Sequence, residues 1–218
     1  WNERVYDECY RPNAFSRVLD AAGMIVAIHN NYQNISFNFG PTLFRWLERM
    51  HPHVAARIIE ADRESCRRFN GHGNAIAQVY NHMILPLASR RDTLTQIRWA
   101  KQFFASRFGR MPEGLWLSET AINMQTVECC VAEQIRFVVL SPNQAEAVRL
   151  RAEDGKWTDV TDGSIDTRKP YRLYCRTADG RKSEGCIDVF FFQQKLSREI
   201  SFGGLTHDAH TFAAAIAA

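Results

Sequence analysis

The sequence predicts an α/β fold with parallel strands, and three observations predict it. Apolar segments of strand length recur at Met24–His29, Gly114–Leu117 and Phe137–Leu140, segments with helical apolar spacing lie between them, and turn signals mark the junctions. Periodicity leaves open whether the strands form a doubly wound sheet or a barrel. The 218 residues are 45% hydrophobic and 23% charged, which excludes a disordered or collagen-like chain and allows a sizeable core.

In chain order, Glu3 to Ala22 carries helical spacing broken at Arg11-Pro12-Asn13, and Asn13 is the expected N-cap of a helix running to the turn at Ala22-Gly23. Met24–His29 is a short strand. Ile35–Phe39 alternates apolar and polar residues as a strand does, and Gly40-Pro41 then opens a helix bearing Leu43, Trp46, Leu47 and Met50. A helix from Pro52 to Phe69 aligns Val54, Ile58, Ile59, Ala61 and Cys66 and ends at Asn70-Gly71. Asn74 to Leu87 holds a short buried strand or loop ending at Pro86. Asp92 opens the next helix, through Ile97, Ala100 and Phe104 to Phe108-Gly109. Gly114–Leu117 is a strand, Ser118 to Ala121 a turn, and a helix of Val127, Cys130, Val131 and Ile135 leads to the strand Phe137–Leu140. Arg149 to Lys169 is polar, with turn signals at Asp154-Gly155 and Asp162-Gly163. Tyr171–Arg176 and Cys186–Phe192 flank Asp179-Gly180 as a hairpin or two surface-joined strands, and the tail returns to helix from Ser197. One domain, 1–218, with residues 149–192 inserted or decorating an edge, is the economical organisation.

The net charge of +3 is spread in pairs such as Arg67-Arg68 and Arg90-Arg91, which gives little support to nucleic-acid or membrane-surface partners. The longest apolar stretches, Ile135–Leu140 and Ile187–Phe192, fall far short of the roughly 20 residues that cross a bilayer. Cys9, Cys66, Cys129, Cys130, Cys175 and Cys186 form no C-x-x-C pair and no zinc-finger spacing, so reduced thiols and a cytoplasmic location are expected. The sequon Asn34-Ile-Ser36 is then a chance match. The chain starts at Trp1 and stops inside an Ala-rich helical pattern, Phe212 to Ala218, so both ends are expected to be cut.

Chemistry concentrates in two segments. Gly114-Leu-Trp-Leu-Ser-Glu-Thr120 places Glu119 at the C-terminal end of a strand, beside Trp116, where α/β folds carry their catalytic groups. A carboxylate at the start of the following helix, favoured by its dipole, with Trp116 in the core, explains the same residues. Gly71-His72-Gly73-Asn74 and Tyr80-Asn81-His82 form a polar cluster suited to sugar hydroxyls, with His72, His82, Asn74 and Asn81 as candidate contacts. A tight turn and a satisfied core histidine are the bland alternatives. His72 and His82 lack a carboxylate at ligand spacing, so neither a metal nor any other cofactor is expected. No G-x-S-x-G or G-x-G-x-x-G occurs, and His207-Asp208-Ala209-His210 is best read as a capped, solvated helix start.

Gly71-His-Gly-Asn-Ala-Ile-Ala-Gln-Val-Tyr-Asn-His-Met-Ile-Leu-Pro-Leu87 followed by Pro112-Glu-Gly-Leu-Trp-Leu-Ser-Glu-Thr120 resembles glycoside hydrolase family 57, the α-glucan-active amylases, branching enzymes and 4-α-glucanotransferases. Trp1-Asn-Glu-Arg4, Glu8–Asn13 and Ile35–Thr42 resemble its bacterial branch with a large C-terminal region of unknown function. The resemblance implies an incomplete seven-stranded (β/α) barrel and a retaining mechanism on an α-glucan. Glu119 matches the nucleophile, Trp116 the donor-subsite tryptophan, and His82 a substrate contact of the second motif. The first motif, around His-Gln-Pro, is expected before Trp1, and the fourth, with the acid/base Asp, beyond Ala218; neither Asp188 nor Asp208 has a matching context. Gln193-Gln194-Lys195 stands where this branch shows an acidic-glycine turn. The resemblance leaves two rivals: a non-catalytic carbohydrate-binding or regulatory barrel, and a polysaccharide deacetylase-like metal enzyme.

Overall fold

The computed structural model describes residues 1–150, 155–177 and 179–217; Asp154 of the expected Asp154-Gly155 turn and the terminal Ala218 lie outside the described residues. The chain forms two compact units, Trp1–Arg136 and Phe137–Ala218.

The first unit opens with a helical run in three pieces: α1 (Asn2–Val5), a π-helical turn (Tyr6–Tyr10) and α2 (Arg11–Ala14). Pro12 has no N–H to give an α-helical bond, and the wide turn immediately before it, closed by Arg11 N–H to the Tyr6 carbonyl, takes up the mismatch. The helix expected from Asn13 to Ala22 does not form. Ser16–Leu19 is instead strand β1, paired antiparallel with β2 (Ile25–His29). The Asp20 carboxylate accepts from the N–H groups of Ala22 and Met24, and Gly23 takes φ 78°, so turn chemistry overrides the helical spacing. Ile35–Phe39 is reduced from the expected strand to one parallel bridge, Phe37 to Ala75. Phe37 and Phe39 turn into an aromatic cluster with Tyr32, Phe44 and Phe108, and that packing replaces a ladder.

The helices α3 (Pro41–Met50), α4 (Pro52–Arg68), α5 (Arg90–Phe108) and α6 (Met124–Ala132) follow the expected boundaries closely. Pro41 and Pro52 sit in the first turns of α3 and α4, Ser89 caps α5 by accepting from Asp92 N–H, and Gly109 ends it at φ 71°. α3 buries Phe44 and Leu47 and leaves Met50 exposed; α4 buries Val54, Ile58 and Ala61. Between the helices lie β3 (Ala77–Gln78) and β4 (Gly114–Trp116), which pair in parallel.

In the second unit β5 (Phe137–Leu140) is followed by a short antiparallel pair, β6 (Ala147–Val148) with β7 (Thr158–Asp159). β8 (Tyr171–Arg176) and β9 (Lys182–Phe191) form the expected hairpin, with Gly180 at φ 80° in its turn. β9 also pairs in parallel with β5, from Phe137 opposite Asp188 to Leu140 opposite Phe191. The far half of the segment expected as an insertion is therefore a central strand of its sheet, burying Ile187, Val189 and Phe191. Gln193 caps α7 (Gln194–Ser201) by accepting from Leu196 N–H, which gives the Gln193-Gln194-Lys195 sequence its role. Asp208 caps α8 (Ala209–Ala217), accepting from Thr211 N–H at 2.7 Å.

Candidate active site

Parallel pairing brings the C-terminal ends of β3 and β4 to the same side. Gln78 lies opposite Trp116, and Val79 N–H donates to the Trp116 carbonyl at 3.2 Å. His82 follows Gln78 by four residues and Glu119 follows Trp116 by three. Their side chains meet, with His82 Nε2 3.2 Å from Glu119 Oε1.

The backbone there is strained. Glu119 takes φ 55° and ψ 23° inside a short 3-10 turn, Ser118–Thr120, and Thr120 takes φ 54°. His82 lies at φ 54°, so three of the five described non-glycine residues with positive φ stand at this place. Each costs of order 1–3 kcal/mol, and such strain collects at functional sites. Thr120 N–H to the Leu117 carbonyl and Ala121 N–H to the Ser118 carbonyl, both 3.0 Å, hold the turn. Ser118 Oγ beneath it is buried and has no hydrogen-bond partner among the described residues.

Burial does not hold Glu119. Its side chain is 75% exposed and that of His82 48%. Position comes from the strained turn and from a short relay. Gln78 Nε2 lies 3.2 Å from His82 Nδ1, and an amide nitrogen only donates. With the amide donating to Nδ1, the ring's Nε2–H faces the carboxylate. Gly40 makes room for this arrangement, because a Cβ there would stand 3.2 Å from Gln78 Nε2. Gln78 was not singled out by the sequence reading; its spacing of four from His82 across a turn was the available signal.

Trp116, half-buried at the end of β4, belongs to the same neighbourhood through its register with Gln78. Asn81 is anchored by its N–H, which donates to Gln96 Oε1 at 2.8 Å, and it lines a cavity together with His82. His72 and Asn74 do not join them. Both precede β3 and so lie towards the other end of the strands. His72 Nδ1 is 2.8 Å from Glu113 Oε2, whose other oxygen accepts from Arg136 Nη1 at 2.7 Å, and Glu113 directly precedes β4. Asn74 is a spacer in the fold: its N–H donates to Ser65 Oγ and its side-chain amide to the Tyr32 carbonyl. The polar cluster of the sequence is split by β3 into a structural half and a site half.

In the second unit Asp188 is gripped by Arg172 through two bonds of 2.8 and 3.2 Å, and hydrogen bonds from Thr211 hold the Asp208 carboxyl below the usual carboxylate range. Each has a local task. His207 lies in a 3-10 turn before the cap and His210 inside α8.

The family model of glycosyl hydrolase family 57 matches residues 5–217. The chain belongs to glycosyl hydrolase family 57. Among solved structures it is similar to a 4-α-glucanotransferase from Thermococcus litoralis, at 20% identity and TM-score 0.53 over 78% of this chain and 23% of that one. It is also similar to an exo-type maltose-forming amylase from a Pyrococcus species, at 15% identity and TM-score 0.55 over 78% and 24%. These likenesses are of fold, and they agree with the expected class: mixed α/β with parallel strands, part of the (β/α) barrel of family 57. The chain spans about a quarter of the length of either structure. No curated protein matches it.

Proposed function

We propose that this family 57 chain supplies the nucleophile and donor subsite of a retaining enzyme that cleaves or transfers α-glucan chains. The observation that carries this reading is the contact of His82 with Glu119 at the ends of two parallel strands, on a turn with positive φ at Glu119 and Thr120. One Glu119 oxygen accepts from His82, and the other attacks the anomeric carbon. The glycosidic bond breaks, its electron pair goes to the leaving oxygen, and a second carboxyl group about 5–5.5 Å away protonates that oxygen. Water or a sugar hydroxyl then displaces Glu119. His82 orients the carboxylate through this hydrogen bond. Trp116 provides the apolar face for the donor ring. The second carboxyl is the Asp of the family's fourth motif; Asp188 is held by Arg172 and Asp208 caps α8.

A deacetylase-like metal enzyme needs at least three converging ligands. His82 and Glu119 make two, and among the described residues no third His, Cys, Asp or Glu joins them. A non-catalytic sugar-binding barrel is separated by the following experiment on the intact protein. Incubation with an activated fluoro-glucoside adds one glycosyl group to the peptide containing Glu119, and Glu119→Gln abolishes the adduct. Labelling that persists in Glu119→Gln, or maps to another residue, overturns the assignment; no labelling of the wild type favours the binding barrel.

A further inference from the structure

His82 stands at the end of a tight turn. Its N–H donates to the Val79 carbonyl at 3.1 Å and closes the turn, with Tyr80 and Asn81 at the two corners. The Asn81 N–H is turned away from that bond and donates to the Gln96 side chain of α5, at 2.8 Å from Oε1. One and two turns further along α5, on the face that Gln96 occupies, Trp99 and Phe103 pack edge-on against Tyr80 with ring centroids 5.5 and 6.4 Å away. One helix therefore grips both corners, and the grip ends one residue before His82.

Satisfying a donor does not explain this arrangement. Gln96 is 4% exposed, whereas Asn81 is exposed. Water can serve an N–H at an exposed residue, so a glutamine with frozen rotamers and a desolvated amide is not required for the purpose. What the buried amide adds is a fixed position. It matters at the next residue, because His82 holds φ 54°, in the left-handed region where a non-glycine residue persists only when its surroundings over-determine it. Relaxation of that angle would swing the imidazole off Glu119, whose contact with Nε2 is already at 3.2 Å.

We infer that Gln96 is a positioning residue for the His82–Glu119 pair: from α5 it pins Asn81, so that the strained backbone of His82 aims the imidazole at the carboxylate. Its effect on rate rests on the reading of Glu119 as the reacting group; its effect on the geometry of His82 does not.

The test compares the intact wild-type protein with Gln96→Met, His82→Ala and the double variant. Methionine keeps the length and bulk of glutamine in a buried place and removes the acceptor, and water takes over the exposed N–H, so the fold is retained. Ile97→Val, at the neighbouring buried position, controls for a loosened α5. The rate of glycosyl transfer from the activated fluoro-glucoside to Glu119 is one readout; the ring-nitrogen NMR signals of His82 and amide hydrogen exchange at Asn81 are the other. Gln96→Met is expected to slow transfer about three- to tenfold, to shift the ring signals and to speed the exchange, and to add less than about twofold to the loss in His82→Ala. Ile97→Val should match the wild type in all three. Unshifted ring signals in Gln96→Met, a loss that adds in full to that of His82→Ala, or the same loss in Ile97→Val overturns the positioning role. So does a wild-type Asn81 amide that exchanges as fast as in an unstructured peptide, which needs no variant to fold. Shifted ring signals and fast exchange in Gln96→Met, with no labelling of Glu119 in the wild type, uphold the positioning of His82 and remove the nucleophile instead.

Discussion

Replacing Gly73 with alanine puts a methyl group where there is no room for one. The added Cβ would lie closer than 3.0 Å to Asp62 Oδ1 and to both Nη2 and Nε of Arg110. Those atoms are an ion pair: Arg110 Nε donates to Asp62 Oδ2 at 2.9 Å and Nη2 to Oδ1 at 2.7 Å, with Asp62 0% exposed. The pair also binds the chain that leads into β3, through Arg110 Nη2 to the Ala75 carbonyl and Ala75 N–H to Asp62 Oδ1, both 2.8 Å. Breaking a buried pair leaves a charge uncompensated and costs about 3–5 kcal/mol. At about 2–4 °C per kcal/mol for a chain of this size, Tm should fall by about 6–20 °C. Thermal melts followed by circular dichroism measure it, with urea midpoints as a second probe. A double-mutant cycle isolates the cause: once Asp62→Ala and Arg110→Ala are in place, Gly73→Ala should cost well under about 1 kcal/mol more. A Gly73→Ala protein melting within about 2 °C of wild type would refute the reasoning.

Three further outcomes are expected. Gln78→Glu replaces the amide facing His82 Nδ1 with a carboxylate, so the Gln78–His82–Glu119 contacts are rearranged; glycosyl transfer to Glu119 should slow about three- to tenfold, and an unaltered rate would exclude the relay. Burial alone would raise the Glu133 pKa, but hydrogen bonds from Arg98 and Lys101 outweigh it and hold the carboxyl below its ordinary value. Its stabilising effect is therefore complete above an unfolded value of about 4.3 and is lost as pH falls through the lower folded one; Glu133→Gln should flatten stability against pH in that acid window, as urea midpoints between about pH 2 and 5 will show. The β1–β2 hairpin exposes Val26 at 61% and Ile28 at 53%, alongside Leu19, Met24 and Ile25, so Val26→Lys with Ile28→Lys should lower light scattering of the concentrated chain, and equal scattering would show that this face drives no association.

What the sequence determined by itself was whatever depends on a few neighbouring residues. α5 reads directly because Asp92 marks its first turn, Gly109 stops it and Ile97, Ala100 and Phe104 recur at helical spacing; β5 reads because four apolar residues follow a turn. Glu119 was legible because a strand followed by an acidic residue places that residue at a strand end whatever the partner strand is. Tertiary structure decided everything that joins distant segments. Whether Ser16–Leu19 is helix or strand depends on a partner beyond the turn, β2, which local spacing does not reveal. His72 and His82 stand equally close to β3 in sequence, and only the direction of the strand sends one to Glu113 and the other to Glu119. Gly73 looked like turn chemistry near a sugar site, yet its reason is an ion pair whose members lie 48 residues apart. Local patterns report backbone preference, which acts within a turn or two of chain; the His82–Glu119 contact, the cavity walls and the Asp62–Arg110 clamp arise from side chains that meet only after the chain has folded.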